Sequence, residues 1–248
     1  MEELNLAAMP KHIGLIPDGN RRWARLNGLP DIKGHQRGME NVIEVARATR
    51  RLGISFFTLW AFSSENWTRS KDEVAYLMDL YISGLKRLTK EFVKEKVRFR
   101  HLGRRDRISK KLLETLQTLE EKTKHFTENN VSIALDYGGI DEIIRAVKKI
   151  VKARLDEDKI DENVFKSFLD TKDLPNLDLI IRTGGEHRTS GFLTFLAPYA
   201  EMAFPNVYLP DFNFNEFRKV LVDFQGRDRR FGGDSVKEET KFKLVSKV

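Results

Sequence analysis

The sequence predicts an α/β fold: one domain with a mostly parallel central sheet of about six strands, flanked by helices, and with an apolar face along its longest helix. Three observations carry this. Apolar, β-rich runs alternate with segments of helical periodicity. Polar and glycine-bearing clusters fall at the carboxyl ends of those runs. The 248 residues contain no repeat, low-complexity tract or linker and suffice for one sizeable core. The domain is therefore read as 1–248, with 1–10 and 234–248 as flexible tails.

In chain order, residues 13–16 form a short apolar strand that stops at Pro17, which cannot donate to a ladder. A Gly-Asn turn follows, and a helix starts on Arg21 and Arg22. Residues 38–52 carry Val42, Ile43, Val45, Ala46 and Thr49 at helical spacing, with Gly53 as C-cap. Residues 54–62 are apolar on both faces, as a buried parallel strand is, and run into Ser63-Ser64-Glu65-Asn66-Trp67. Residues 71–96 repeat Val74, Leu77, Tyr81, Leu85, Leu88 and Phe92 at intervals of three and four, a helix about 37 Å long. Its apolar face is either ordinary core or the wall of a tunnel. A shorter, less clearly buried strand follows at 97–102, then an amphipathic helix at 108–126. A strand at 131–135 ends in Asp136-Tyr137-Gly138-Gly139, with a helix behind it at 142–155 and a short one at 165–169. A strand at 177–181 leads into Arg182-Thr183-Gly184-Gly185-Glu186-His187-Arg188-Thr189-Ser190. A last strand is expected at 206–210 and a last helix at 215–224.

Ligands of such sheets gather outside the carboxyl ends of the strands, so clusters remote in sequence can share one pocket. A net charge of +7 and a pI near 9.5 point to anionic partners without choosing among nucleic acid, lipid headgroups and phosphorylated metabolites. The absence of cysteine excludes disulfides, thiol nucleophiles and Cys-based zinc sites. The acidic start, Met1-Glu2-Glu3, lacks the pattern of a secretion signal, and the apolar run 54–62 is about half the length a membrane span requires. The expected location is cytoplasmic, with any membrane contact peripheral.

Within the first cluster, Gly19 permits a close ligand approach, and free N–H groups with Arg21 and Arg22 attract an anion. Asp18 is anomalous there: it either caps the helix or holds a divalent cation between itself and a phosphate. The run 182–190 suits a diphosphate, with arginine forks, a glycine pair and a neutral hydroxyl; the alternative is an Arg-Glu network tying down a loop. His35 either donates a proton to a leaving phosphate oxygen or is structural. Ser63 and Asn66 either bind phosphate and relay a proton or cap a helix. Glu201 sits in an apolar setting that demands a metal or arginine partner. P-loop, dinucleotide, zinc-protease and nucleophile-elbow signatures are missing, and so is any Asp-Asp pair.

Four motifs occur in order: Asp18-Gly19-Asn20-Arg21-Arg22-Trp23-Ala24, Ala61-Phe62-Ser63-Ser64-Glu65-Asn66-Trp67, Arg182-Thr183-Gly184-Gly185-Glu186-His187-Arg188 and Arg229-Arg230-Phe231-Gly232-Gly233. With them the chain, over roughly residues 11–233, resembles the cis-prenyltransferases of the undecaprenyl diphosphate synthase family. The resemblance implies an enzyme that lengthens an allylic diphosphate, such as farnesyl or geranylgeranyl diphosphate, with isopentenyl diphosphate. The product would be a medium- or long-chain polyprenyl diphosphate, a glycosyl carrier lipid precursor.

By that resemblance, Asp18 holds magnesium, with Glu201 also required for the metal-bound state. Gly19, Asn20 and Arg22, beside Arg21 and Trp23, bind the allylic diphosphate, and His35 assists its departure. Arg182, Arg188 and Ser190 hold the isopentenyl diphosphate. Ser63 and Asn66, flanked by Trp67 and Arg69, place the reacting centres or carry the proton. It further implies a homodimer in which Arg230-Phe231-Gly232 reaches into the partner's site, while the basic residues gathering at strand ends speak for small anions and against a nucleic-acid partner. Pro17, Arg21, Asp31, Asp136 and Ile140 depart from the common bacterial pattern and bear on allylic preference rather than on the reaction. Small Ala61 favours a longer product, and bulky Tyr76 pulls the other way. Alternatives are a short-chain or irregular coupling enzyme and a non-catalytic partner subunit, although such subunits lose the opening motif that this chain keeps.

Overall fold

Five consecutive buried residues, His12–Ile16, form the first strand, β1, and the rest of the sheet grows outward from it. The computed structural model describes residues 4–229 and 233. The other strands are β2 (Phe56–Ser63), β3 (Val97–Leu102), β4 (Asn129–Tyr137), β5 (Leu179–Arg182) and β6 (Glu201–Ala203). They form one six-stranded sheet in the order β3-β4-β2-β1-β5-β6, and every pairing between them is parallel. The helices are α1 (Asn20–Leu26), α2 (Asp31–Arg51), α3 (Lys71–Lys94), α4 (Lys110–Thr123), α5 (Gly139–Ala153), α6 (Glu162–Ser167) and α7 (Phe214–Gly226). The expected α/β fold with about six strands is the observed one.

Parallel strands joined by crossover helices are covered on both faces, which is why β1 and β5 read as unbroken apolar runs. On one face Ile13, Leu15 and Phe57 pack against α2 and α7 through Val45, Ala48, Phe217 and Leu221. On the other, Ile16, Trp60 and Tyr137 meet Phe192, Leu193 and Leu196. The apolar stripes of α3 and α4 close over Phe62, Phe99 and Leu135. The strand at 97–102 is better buried than its alternation predicts, because α4 lies over it; Val97, Phe99 and Leu102 are fully enclosed.

Two expectations are corrected. Helix α2 starts at Asp31, not at residue 38, so His35 lies on a helix. Gly34 and Gly38 are buried where α2 crosses α1, and a Cβ at either would overlap Asn20. The last strand is Glu201–Ala203, not 206–210. In the latter stretch Val207 accepts from Gly184 N–H and Leu209 N–H donates to the Asp18 carbonyl, so its hydrogen bonds serve the site loops rather than a ladder.

His12 lies wholly inside the sheet. Its Nδ1–H donates to the Pro175 carbonyl (2.8 Å), and its Nε2 accepts from the Thr58 hydroxyl (2.8 Å). Burial lowers its pKa to about 4, with the Pro175 bond opposing the shift. The unfolded chain takes up this proton below about pH 6.5 and the folded chain does not, so stability is lost as pH falls from there toward about 4. The full shift is worth about 3 kcal/mol. Urea denaturation of the wild type at about pH 7 and pH 4.5 is expected to show this fall, and His12→Gln, weaker at neutrality, a shallower one. Equal slopes would contradict the assignment.

Candidate active site

A cleft of about 840 Å³ opens at the carboxyl ends of β1, β2 and β5. Its lining includes Asp18, Gly19, Asn20, Arg21, Arg22, His35, Ser63, Asn66, Arg69, Arg182 and Ser190, eleven of the residues singled out in the sequence. Pro17 ends β1, and Gly19, at φ 99, turns the chain into α1. A Cβ on Gly19 would overlap the Tyr208 ring, so glycine is required there for two reasons.

Asp18 is the centre of charge. Its Oδ1 accepts from Arg22 Nη2 (2.9 Å) and from the Gly19 N–H (2.6 Å), and its Oδ2 accepts from Arg182 Nη2 (2.9 Å). Burial alone would raise the Asp18 pKa, but the bonds and charges of Arg182 and Arg22 outweigh it and hold the carboxyl below the usual range. Arg182 is itself buried and fixed by the Arg188 carbonyl (2.8 Å) and the Ser190 hydroxyl (3.0 Å). Arg22 also reaches Gly184 O and Glu186, and lies over the Tyr208 ring at 5.3 Å.

Arg21 donates to Asp31 (2.8 Å), which Arg25 holds as well. Two of the five departures from the bacterial pattern are thus paired with each other. Ser63 and Asn66 cap one another across the 3-10 turn Ser64–Thr68: Ser63 N–H donates to Asn66 Oδ1 (3.0 Å), and the Ser63 hydroxyl accepts from the Asn66 N–H. Both the capping role and the cleft position hold at once. His35 Nε2 lies 3.6 Å from Glu73 Oε1. Burial, and next the charge of Arg69, lower its pKa, so the ring is neutral at physiological pH rather than a ready cationic acid.

Asn20 Oδ1, His35 Nε2 and Arg182 Nε are buried without a hydrogen-bond partner among the described residues, and all three belong to residues lining this cleft. Unpaired buried polar atoms are costly in a folded chain, and their concentration here marks a site built for a polar ligand.

Other expected site residues fall outside the cleft. Trp23 does not line it, and Trp67 is turned away, donating Nε1–H to Asp136 (2.9 Å) and packing edge-on to Phe62. Arg188 pairs with Glu186 on the exposed rim, and its carbonyl accepts from Arg182. Glu201 opens β6 in register with Leu179, three residues before Arg182 and roughly 10 Å short of it along the sheet. Its carboxylate accepts from Arg227 Nη1 (2.8 Å). Arg230 and Gly232 lie outside the described residues.

Sequence reading missed Glu73, which reaches His35, Arg69 and, more loosely, Arg21 from α3, and Tyr208, which backs Gly19 and Arg22. Glu73 sits in a helix start and reads as an ordinary first-turn acid; only the fold brings it to α2.

Residues 16–232 match the family model of undecaprenyl diphosphate synthase. The isoprenyl transferase of Aquifex pyrophilus is 45% identical over 224 residues, 90% of this chain and 96% of that protein. The isoprenyl transferase of Thermotoga maritima is 43% identical over 227 residues, 91% of this chain and 97% of that one. The crystal structure of lavandulyl diphosphate synthase from Lavandula x intermedia, in complex with dimethylallyl diphosphate, superposes with a TM-score of 0.87 at 31% identity, covering 91% of this chain and 99% of that one. A probable undecaprenyl diphosphate synthase from Campylobacter jejuni gives a TM-score of 0.75 at 32% identity over 94% and 100% of the two chains. The family match spans the cleft-forming motifs, and the chain belongs to the undecaprenyl diphosphate synthase family of cis-prenyltransferases.

Proposed function

We propose that this protein condenses isopentenyl diphosphate onto an allylic diphosphate primer with magnesium, giving a medium- or long-chain polyprenyl diphosphate that serves as a glycosyl carrier lipid precursor. The observation that carries the reading is Asp18 held between Arg22 and Arg182 in a cleft that shares Ala61, Leu59 and Met39 with an apolar cavity behind it. Anion-binding groups thus sit at the mouth of a greasy channel, which suits a substrate with a diphosphate head and a prenyl tail.

Gly19, Asn20 and Arg22 bind the allylic diphosphate, and Arg182 with Ser190 holds the isopentenyl diphosphate. The allylic C–O bond breaks as a C–C bond forms to isopentenyl diphosphate; a proton is then lost and diphosphate departs. Ser63 and Asn66 lie across the cleft for placing the double bond or carrying that proton. His35 donates a hydrogen bond to the departing diphosphate, whose negative charge favours the protonated imidazole.

The residues present fit magnesium. Among the described residues no group of three or more acidic or histidine side chains forms a ready cage, but magnesium needs only one or two carboxylates when substrate phosphates and waters supply the other oxygens. Asp18, kept ionised, is the carboxylate that would hold it, its oxygens released as Arg22 and Arg182 turn to phosphate. Bound there, the ion would neutralise charge on the leaving diphosphate.

A homodimer is supported by a row of exposed apolar residues on α5, Ile140, Ile144, Val147 and Val151, and by exposed Met202 on the edge strand β6. Among the described residues no helix is long and apolar enough to cross a membrane; the proposed contact with a bilayer, during product release, is peripheral. The likeness to lavandulyl diphosphate synthase favours one second reading, a short-chain or irregular coupling enzyme. Incubation of purified protein with magnesium, farnesyl diphosphate and labelled isopentenyl diphosphate tests both. Chelator-sensitive incorporation into extended products supports the first reading and a single condensation a short-chain enzyme, and no incorporation refutes these two; an irregular coupling enzyme, which joins two allylic diphosphates, is tested by product formed from dimethylallyl diphosphate alone.

A further inference from the structure

Every arginine that lines the cleft rests on a carboxylate. Arg22 and Arg182 share Asp18, Arg69 donates to Glu73 (3.0 Å), and Arg21 and Arg25 both hold Asp31. Asp18 is the proposed metal ligand; Asp31 has no part in the reaction as described. Arg21 Nε donates to Asp31 Oδ2 (2.8 Å), Arg25 Nη2 to the same oxygen (2.9 Å) and Arg25 Nε to Oδ1 (3.1 Å). Arg21 Nη1 also lies 3.8 Å from Glu73 Oε2.

Asp31 opens α2, and its place is fixed from one turn further on, where Gly34 packs against the Asn20 carbonyl. That contact sets the first turn of α2 beside α1, where Arg21 and Arg25 share a face at a spacing of four. The two arginines line the cleft and Asp31 does not, so an entering ligand meets guanidinium groups with a carboxylate behind them. The bonds from Arg25 and Arg21 outweigh desolvation and hold Asp31 below the usual carboxylate range, so it is ionised at physiological pH.

We propose that Asp31 is a resident counter-anion of the allylic diphosphate site, holding Arg21 and Arg25 while the cleft is empty, yielding them to an incoming diphosphate and taking them back when inorganic diphosphate leaves. It thereby weakens the hold of this chain on allylic and inorganic diphosphate alike. The inference rests on the proposed function, which puts the allylic diphosphate at Gly19, Asn20 and Arg22. A diphosphate gains from Arg21 or Arg25 only after a bond to Asp31 is parted, and the fixed negative charge behind the arginines repels it. The pair is partly solvated, with Arg21 43% and Asp31 30% exposed, so the effect is a few-fold in affinity rather than orders of magnitude. A carboxylate that merely braced the arginines would act with the opposite sign, since its loss would weaken binding.

Wild type, Asp31→Asn, Arg21→Gly and the double variant are titrated calorimetrically, in magnesium, with inorganic diphosphate and separately with farnesyl diphosphate. Asp31→Asn keeps the shape of the side chain and is expected to bind both ligands about threefold to fivefold more tightly, a gain that shrinks as salt is raised from about 0.05 M to about 0.5 M. In the Arg21→Gly background the gain is expected to be smaller, because one of the two arginines that Asp31 withholds is gone. In turnover, inorganic diphosphate is expected to inhibit Asp31→Asn at correspondingly lower concentration. Affinity unchanged or weaker in Asp31→Asn overturns the inference and leaves the function intact, whereas a wild type that binds neither ligand overturns both. Asp31→Ser, also free of the charge, decides the matter by the same criterion if Asp31→Asn fails to melt cooperatively.

Discussion

Asp18→Ala is expected to lower turnover by about 10³-fold, the scale on which removing one preorganised electrostatic group acts. The carboxylate is proposed to hold the metal and is also the counter-charge of two arginines, one of them, Arg182, buried. Its loss therefore has a second signature. Arg182 is left without its acidic partner, at a stability cost of about 1–3 kcal/mol. Added inorganic diphosphate supplies a replacement anion and is expected to raise the melting temperature of Asp18→Ala more than that of wild type. Steady-state assays and thermal melts with and without diphosphate check both parts; activity within tenfold of wild type would contradict the first. The sign with pH is fixed as well. Because the arginines depress the Asp18 pKa, its contribution to stability is present above the ordinary carboxylate value and is lost only as pH falls through the lower folded one.

Gly34→Ala is expected to reduce activity by about 10²-fold although Gly34 lies outside the cleft lining. A Cβ there would overlap the carbonyl oxygen of Asn20, and backbone cannot swing aside as a side-chain tip can. The start of α1, with Asn20, Arg21 and Arg22, must move off α2, and displacements of about 1 Å in positioning groups cost that much. Overpacking adds about 1–3 kcal/mol of destabilisation. Gly226→Ala is the control, since a Cβ at the end of α7 meets nothing within 4 Å. Equal kinetics in the two variants would show that the α1–α2 contact does not set the site.

The same contact shows where sequence legibility ended. The parallel sheet was readable because both-face burial leaves β1, β2 and β5 as continuous apolar runs, and the cleft was readable because its polar groups follow those runs directly. The start of α2 was not. Gly34 and Gly38 lower helix propensity and look like a boundary, yet they are where two helices touch, a tertiary fact without a local mark. The sixth strand was misplaced because three residues are too few to show alternation, whereas 206–210 has strand-like composition and spends its hydrogen bonds on the Asp18 and Gly184 loops. In the site, Asp18, Arg22 and Arg182 were each legible as charged groups at strand ends, but their pairing was not, since Asp18 was read as a cap or a cation ligand. Trp67 could not be placed, since an indole beside a polar cluster reads equally as a stacking surface or as the anchor it proves to be, tied to Asp136. Glu201 was read as needing a metal or an arginine. Arg227 fills that need from the end of α7, a partner no spacing announces.

The division of the cleft between two diphosphates is tested most directly by the separate KM values for allylic and isopentenyl diphosphate in Arg22→Ala and Ser190→Ala. Arg22→Ala should raise the allylic KM by about tenfold or more with the isopentenyl KM near wild type, and Ser190→Ala should do the reverse, on the scale of one charge-assisted and one neutral hydrogen bond. If both variants raise both KM values equally, Asp18 and its arginines do not separate two diphosphate positions, and the account of the site is wrong.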